Sequence, residues 1–189
     1  MPTLPNLPVH EYPSLSQSVV LIGMPGSGKS TIGKKLAVQM GVSFVDSDIE
    51  VEAAADMTIP EIFEKLGEPA FRDGERKVIA RLLDGPPVIL STGGGAFMNE
   101  QTRELIKRKA ISVWLKANLD ILVERTSRTN DRPLLRGGDP KEILQKMMQT
   151  REPVYAQADL TVTSENTPIE ITTDKVAATV HLYLEGKTK

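Results

Sequence analysis

Between the apolar run Val19–Ile22 and the stretch that begins at Ile32, the chain reads Gly23-Met24-Pro25-Gly26-Ser27-Gly28-Lys29-Ser30-Thr31. This matches GxxxxGK[ST], the pattern of a phosphate-cradling loop between a strand and a helix. Its glycines let the backbone curl until successive N–H groups point inward at phosphate oxygens. The helix that follows aims its N-terminus at the same anion. Gly26, Ser27, Gly28, Lys29, Ser30 and Thr31 are therefore the candidate nucleotide-binding residues. Lys29 is expected to reach the β- and γ-phosphates, and the Ser30 hydroxyl to ligate Mg²⁺. At ordinary glycine usage, a chance match somewhere in a chain this long is roughly a one-in-a-hundred event. This match also sits between a β-branched run and a helical stretch, as the mechanics require.

The rest of the chain alternates in the same way. Short apolar runs at Ser43–Val45, Val88–Leu90, Ile111–Leu115 and Leu160–Val162 read as strands. Helical stretches are expected from the loop to Met40, from a Thr58/Glu61 capping box, and over about Pro69–Leu83. Others fall at Asn99–Lys109, Asn118–Ser127, after the Asp139-Pro140 start signal, and over about Thr173–Leu184. Strands separated by helices imply βαβ units and a parallel sheet covered on both faces. Ligands of such sheets bind at the carboxyl ends of the strands. With 189 residues there is room for one domain. Residues 1–17 hold Pro2, Pro5, Pro8 and Pro13 and read as a flexible arm, which leaves 18–189 as the domain.

Composition narrows the chemistry. The chain has no Cys and only His10 and His181, which excludes thiol nucleophiles and multi-His metal sites. A net charge of −2 argues against a general nucleic-acid binder. No apolar run is long enough to span a membrane, and no Lys or Arg precedes Lys29, so neither a secretory signal nor a transit peptide is expected. What remains is a cytoplasmic enzyme or a nucleotide-binding module.

A phosphate loop identifies a nucleotide and leaves the acceptor open. Strand two ends in Asp46-Ser47-Asp48. One carboxylate can hold Mg²⁺ and the other can bond an acceptor hydroxyl; the same residues also suit an Asx turn and a helix N-cap. Strand three ends in Gly93-Gly94-Gly95, which permits close backbone approach to a ligand or a simple flexible turn. Arg72 has Glu75 three residues on, a spacing that pairs them on a helix. Arg151 precedes Tyr155 by one helical turn, and Arg132 lies in the Gly-rich segment Thr129–Gly138, where an Arg can swing onto transferring phosphates.

In their order and approximate spacing, Gly23–Thr31, Asp46 with Asp48, Phe71-Arg72 with Glu75, Gly93–Gly95, Arg132-Pro133-Leu134-Leu135 and Arg151 with Tyr155 resemble the shikimate kinases. The resemblance runs from about Val19 to Leu184. It implies a P-loop three-layer α/β/α sandwich with a five-stranded parallel sheet and a mobile lid at about 128–140. It implies ATP and Mg²⁺, shikimate as acceptor, and a monomer. It places Asp48 on the shikimate hydroxyls, Arg72 and Arg151 on the carboxylate, Gly93, Gly94 and Gly95 at the ring, and Glu75 behind Arg72. Lys29 and Arg132 would bracket the phosphates, while Ser30 and Asp46 serve Mg²⁺. Arg125 would lie along the adenine, helped by the loop at Thr167-Pro168, and Phe63 and Phe71 would wall the acceptor pocket. Two other readings stand beside this one. Another small-molecule kinase, such as a gluconate kinase, would share the phosphate loop alone. A catalytically silent nucleotide-binding regulator would have lost the acceptor-side residues, yet Asp48, Arg72 and Arg151 are all present.

Overall fold

The computed structural model describes residues 15–127 and 138–187. Strand β1 (Ser18–Ile22) leads through the phosphate loop into helix α1 (Lys29–Met40). Then come β2 (Ser43–Asp46), α2 (Ser47–Ala55), α3 (Ile59–Leu83) and β3 (Val88–Ser91). A 3-10 turn (Ala96–Met98), α4 (Glu100–Lys109), β4 (Ala110–Lys116) and α5 (Leu119–Ser127) follow. The chain closes with α6 (Pro140–Tyr155), β5 (Leu160–Thr163) and α7 (Ile169–Lys187). The five strands form one parallel sheet in the order β2-β3-β1-β4-β5.

The three layers follow from alternation along continuous apolar strands. Val19 and Leu21 of β1, Ile89 of β3, and Ile111, Val113 and Leu115 of β4 face α1 and α7. Val20 and Ile22, Leu90, and Trp114 face α3, α4, α5 and α6. A parallel strand buried on both faces has no polar side, which is why these runs show no alternation in sequence. Each fully buried Leu, Ile or Val contributes about 1.5–3 kcal/mol, and most of the central strand residues are fully buried. Leu15 is also buried in the layer with α1 and α7. The core therefore reaches three residues back into the segment read as an arm. The remainder of that arm lies outside the described residues.

Close packing of α1 on the sheet depends on Gly33. A Cβ there would lie 2.5 Å from Phe44 Cε2 and 3.2 Å from Leu21 Cδ1. A side chain there would have to displace the Phe44 ring or push the helix off the sheet.

Helix α3 begins with the expected capping box: Glu61 N donates to Thr58 Oγ1, and Thr58 N donates to Glu61 Oε2 at 2.9 Å. It is not straight. Gly67 has φ 81° and ψ 167°, so the helix is two segments joined at a break, with Pro69 two residues on. That conformation is open to glycine and strained for other residues. The two separate helical signals seen in the sequence, from Thr58 and from Pro69, correspond to these two segments. The start of helix α2 was signalled only by the N-cap reading of Asp46-Ser47-Asp48, and its length was not anticipated. Only Ser47 and Val51 of its nine residues are buried, too few to write a periodic apolar pattern. Together α2 and α3 form a small satellite cluster of Val51, Ile62, Phe71 and Val78.

The topology locates the site. Strands β1 and β3 are neighbours, but β1 continues into α1 in one layer and β3 into α4 in the other. Their carboxyl ends part around a crevice, where ligands of open α/β sheets bind.

Candidate active site

The phosphate loop lines one wall of the crevice. Gly26 (φ 83°) and Gly28 (φ 96°) carry the left-handed turns that curl the backbone. Gly28 caps α1 without a side-chain hydrogen bond, and the first turn of that helix has no acidic residue. The free N–H groups and the positive end of the helix dipole are thus left for an anion. Lys29 Nζ donates to Gly23 O and Met24 O at 3.0 Å each, folding its charge over the loop. Ser30 Oγ donates to Asp46 Oδ2 at 3.1 Å and lies 3.4 Å from Ser91 Oγ. Phosphate loop, β2 end and β3 end therefore meet at three oxygen-bearing side chains.

Arg125 on α5 flanks the same loop from the far side of β1. Its Nη1 donates to Ser164 Oγ at 2.9 Å and to Gly26 O at 3.5 Å, and its Nη2 donates to Glu165 O at 2.7 Å. It thereby ties the phosphate loop to the segment after β5, in which Thr167 Oγ1 is buried without a partner and Pro168 immediately precedes α7. Arg132 lies outside the described residues, as does the proposed lid apart from Gly138, Asp139 and Pro140.

Across the crevice, the three glycines form a floor against which four charged side chains rest. A Cβ at Gly93 would stand 2.7 Å from Asp48 Oδ1 and 3.2 Å from Glu75 Oε1. At Gly94 it would stand 2.7 Å from Arg151 Nη1, and at Gly95 2.5 Å from Arg72 Nη2. Any side chain here would displace a carboxylate or a guanidinium, so close approach explains the run of glycines. The floor is anchored on several sides. Thr92 donates twice to Leu21 O of β1, Gly93 N donates to Ser47 Oγ at 3.4 Å, and the Tyr155 hydroxyl donates to Gly94 O.

Asp48 and Arg72 reach this floor from α2 and α3, and Arg151 from α6. Asp46 does both things its sequence context allowed. It caps α2, accepting from Asp48 N at 3.1 Å, and it bonds Ser30. Arg72 Nη1 pairs with Glu75 Oε2 at 2.9 Å, the i,i+3 pair expected from the spacing; Glu75 is only 1% exposed. Phe71 is buried, and its ring centroid lies 4.8 Å from that of the half-exposed Phe63 and 5.0 Å from Arg72 Cζ. An aromatic wall therefore stands beside the arginine. Three buried polar atoms at the floor have no hydrogen-bond partner among the described residues: Asp48 Oδ1, Glu75 Oε1 and Arg151 Nη1. A buried polar atom left unpaired costs about 1–3 kcal/mol. Two acceptors and one cationic donor beside three consecutive glycines suit a ligand that brings both hydroxyls and a carboxylate.

Sequence reasoning missed Ser47, Ser91 and Tyr155 as parts of the site. Tyr155 is fully buried, packs on Trp114 at a 6.1 Å centroid separation, and holds the middle glycine through its hydroxyl. Its place one turn after Arg151 was the available signal. Burial also shifts ionisation. Burial first, then the Asp46 charge, pushes the Asp48 carboxyl up from its ordinary 3.8, against the pull of Lys29. Burial raises Glu75 from 4.5, opposed by Arg72.

In the interval between the ordinary and raised values, the folded protein keeps protons that the unfolded chain has released. Stability from these two groups is therefore greatest below the ordinary values and falls as pH rises through that interval. Asp48→Asn is expected to flatten this decline. Melting temperatures of variant and parent at stepped pH measure it, and parallel slopes would contradict a raised Asp48.

Comparison with known proteins gives a consistent answer. Residues 25–181 match the family model described as shikimate kinase. The shikimate kinase of Bradyrhizobium diazoefficiens is 52% identical over 172 residues, which is 91% of this chain and 83% of that protein. That of Paramagnetospirillum magneticum is 50% identical over 171 residues, 90% of this chain and 88% of its own length. Among solved structures, shikimate kinase from Acinetobacter baumannii in complex with shikimate superposes with a TM-score of 0.84 at 34% identity, covering 96% of this chain and all of that one. A gluconokinase from Sinorhizobium meliloti reaches a TM-score of 0.54 at 17% identity, a likeness of fold alone.

Proposed function

The chain belongs to the shikimate kinase family, and on that premise we propose how its residues move the γ-phosphoryl group of ATP to the 3-hydroxyl of shikimate. The products are shikimate 3-phosphate and ADP, on the route to chorismate and the aromatic amino acids. One observation carries the acceptor assignment. Gly93, Gly94 and Gly95 lie under Asp48, Arg151 and Arg72 in turn, with unpartnered atoms of Asp48, Glu75 and Arg151 around them.

Shikimate is a small ring with one carboxylate and three hydroxyls. Planar guanidiniums suit a carboxylate because they can bond it bidentately. Arg72 and Arg151, over adjacent glycines, take that carboxylate, and Glu75 fixes Arg72 from behind. Asp48 accepts from the ring hydroxyls and turns the reacting one toward the nucleotide. Phosphoryl transfer has a largely dissociative transition state, so positioning and charge neutralisation carry most of the catalysis. Asp48 is accordingly a positioner first and a base second. Its raised pKa keeps it able to take the hydroxyl proton late in transfer.

The phosphates lie in the loop Gly26–Thr31 with Lys29 against the transferring group. Arg125 and Pro168 border the base, and Arg132 is the proposed second cation. The donor chemistry at Ser30 and Asp46 fits Mg²⁺: hydroxyl and carboxylate oxygens within 3.1 Å of each other, beside a phosphate loop. When bound there, the ion would neutralise phosphate charge. The unit is taken as a monomer, as the resemblance to the family implies. Among the described residues, no helix is long and apolar enough to cross a membrane, in keeping with the proposed cytoplasmic location.

A coupled ADP-release assay with shikimate, gluconate and other small polyols tests the reading. ADP release that depends on shikimate is expected. Release with gluconate and none with shikimate would overturn the acceptor assignment.

A further inference from the structure

Arg72 holds two carboxylates, and they are held differently. Glu75 Oε2 accepts from Nη1 at 2.9 Å and is 1% exposed, locked against the glycine floor. Glu68 Oε1 accepts from both Nε and Nη2, at 3.4 and 3.3 Å, and is 63% exposed. The Nε–Nη2 edge is one of the two forks on which a guanidinium takes a planar carboxylate. Glu68 bridges that fork with one oxygen and long geometry, the marks of a weak, replaceable partner. It is also the first residue after the Gly67 break, where the helix ladder is already interrupted. Its side chain can therefore leave without dismantling a regular turn.

Charge counting leads the same way. Arg72 and Arg151 with Asp48, Glu75 and Glu68 sum to −1 around the floor, and to zero once Glu68 leaves. An incoming carboxylate meets net negative charge as long as Glu68 stays. We infer that Glu68 is a placeholder carboxylate. It occupies the Nε–Nη2 fork of Arg72 before substrate arrives, keeps the guanidinium spread over Gly95, and gives way to the substrate's carboxylate. Glu68 is thus a positioning residue, acting through Arg72. It offsets part of the attraction between Arg72 and the ligand and limits how tightly the acceptor is held. The inference rests on the reading that Arg72 takes the shikimate carboxylate.

Calorimetric titration of shikimate into the full chain, without nucleotide, tests it in three variants. Removing an exposed competitor of this kind is expected to lower the shikimate dissociation constant about two- to fivefold in Glu68→Gln and in Glu68→Ala. The methyl ester of shikimate, which lacks the charge, should show no such gain. A lost structural contact would weaken binding, so a gain separates the placeholder role from a merely supporting one. An unchanged or raised dissociation constant in both variants, with shikimate binding still lost in Arg72→Ala, would overturn the placeholder alone. Normal shikimate binding in Arg72→Ala would instead remove Arg72 from the carboxylate and take the whole assignment with it.

Discussion

Replacing Lys29 by Met is expected to lower kcat by at least about 100- to 1,000-fold, the usual loss on removing one preorganised charge from a transition state. Shikimate binding should persist. The expectation follows from where the ammonium sits. Lys29 is the first residue of α1, and its Nζ lies over Gly23 and Met24 within the curled loop. Methionine keeps the length and apolar stem and removes only the charge and its donors. The described hydrogen bonds that it would lose run to backbone carbonyls of the loop, Gly23 O and Met24 O, so the variant should melt close to the parent. A second effect distinguishes this lysine from a remote one. Its charge is among those that hold the Asp48 carboxyl down, against burial and Asp46. Without it Asp48 should titrate still higher, and the acid limb of shikimate binding should move up in pH. Stopped turnover with measurable shikimate binding is the predicted pair of results. Near-normal turnover would place the transferring phosphate elsewhere.

The phosphate loop could be read directly because its chemistry is contiguous: backbone donors, lysine and hydroxyl fall within nine residues. The same holds for the capping box at Thr58 and Glu61, and for the Asp139-Pro140 helix start, each confined to one turn. The acceptor floor is different. Gly93, Gly94 and Gly95 are consecutive, but their partners come from α2, α6 and α3, and only the fold sets them side by side. Residue order gave a resemblance; it could not say which glycine serves which charge. Ser47 was hidden between two aspartates that drew the chemical attention, although its hydroxyl anchors the glycine floor. Helix α2 was hidden beyond its first residues for a related reason. It is held mainly by α3, at the edge of the domain, so its sequence needs no apolar stripe. Glu68 belongs to no motif legible in the sequence, and by exposure it is a surface charge. Its meaning comes from the fork it occupies.

Arg72→Ala and Arg151→Ala should each weaken shikimate binding by about 2–5 kcal/mol, the usual loss when one partner of a desolvated ion pair is removed. That is roughly 30- to 4,000-fold in dissociation constant. ATP affinity should change little, because among the described residues neither arginine hydrogen-bonds the phosphate loop. The two variants differ in what they leave behind. Arg72→Ala strips the nearly inaccessible Glu75 of its partner, while Glu75 Oε1 already lacks one. Losing a partner from a buried pair is strongly destabilising, so this variant should also melt lower. Arg151 presents an unpartnered buried Nη1 to the floor, so its removal costs no hydrogen bond at that atom. Arg151→Ala should therefore lose the acceptor while keeping most of its thermal stability. The contrast separates ligand recognition from folding within one experiment. Titrate shikimate and ATP into both variants and record their melting temperatures alongside. If Arg151→Ala loses shikimate and ATP to the same degree, the arginine does not belong to the acceptor chamber. If it loses only shikimate and melts near the parent, a charge placed over Gly94 recognises the carboxylate directly.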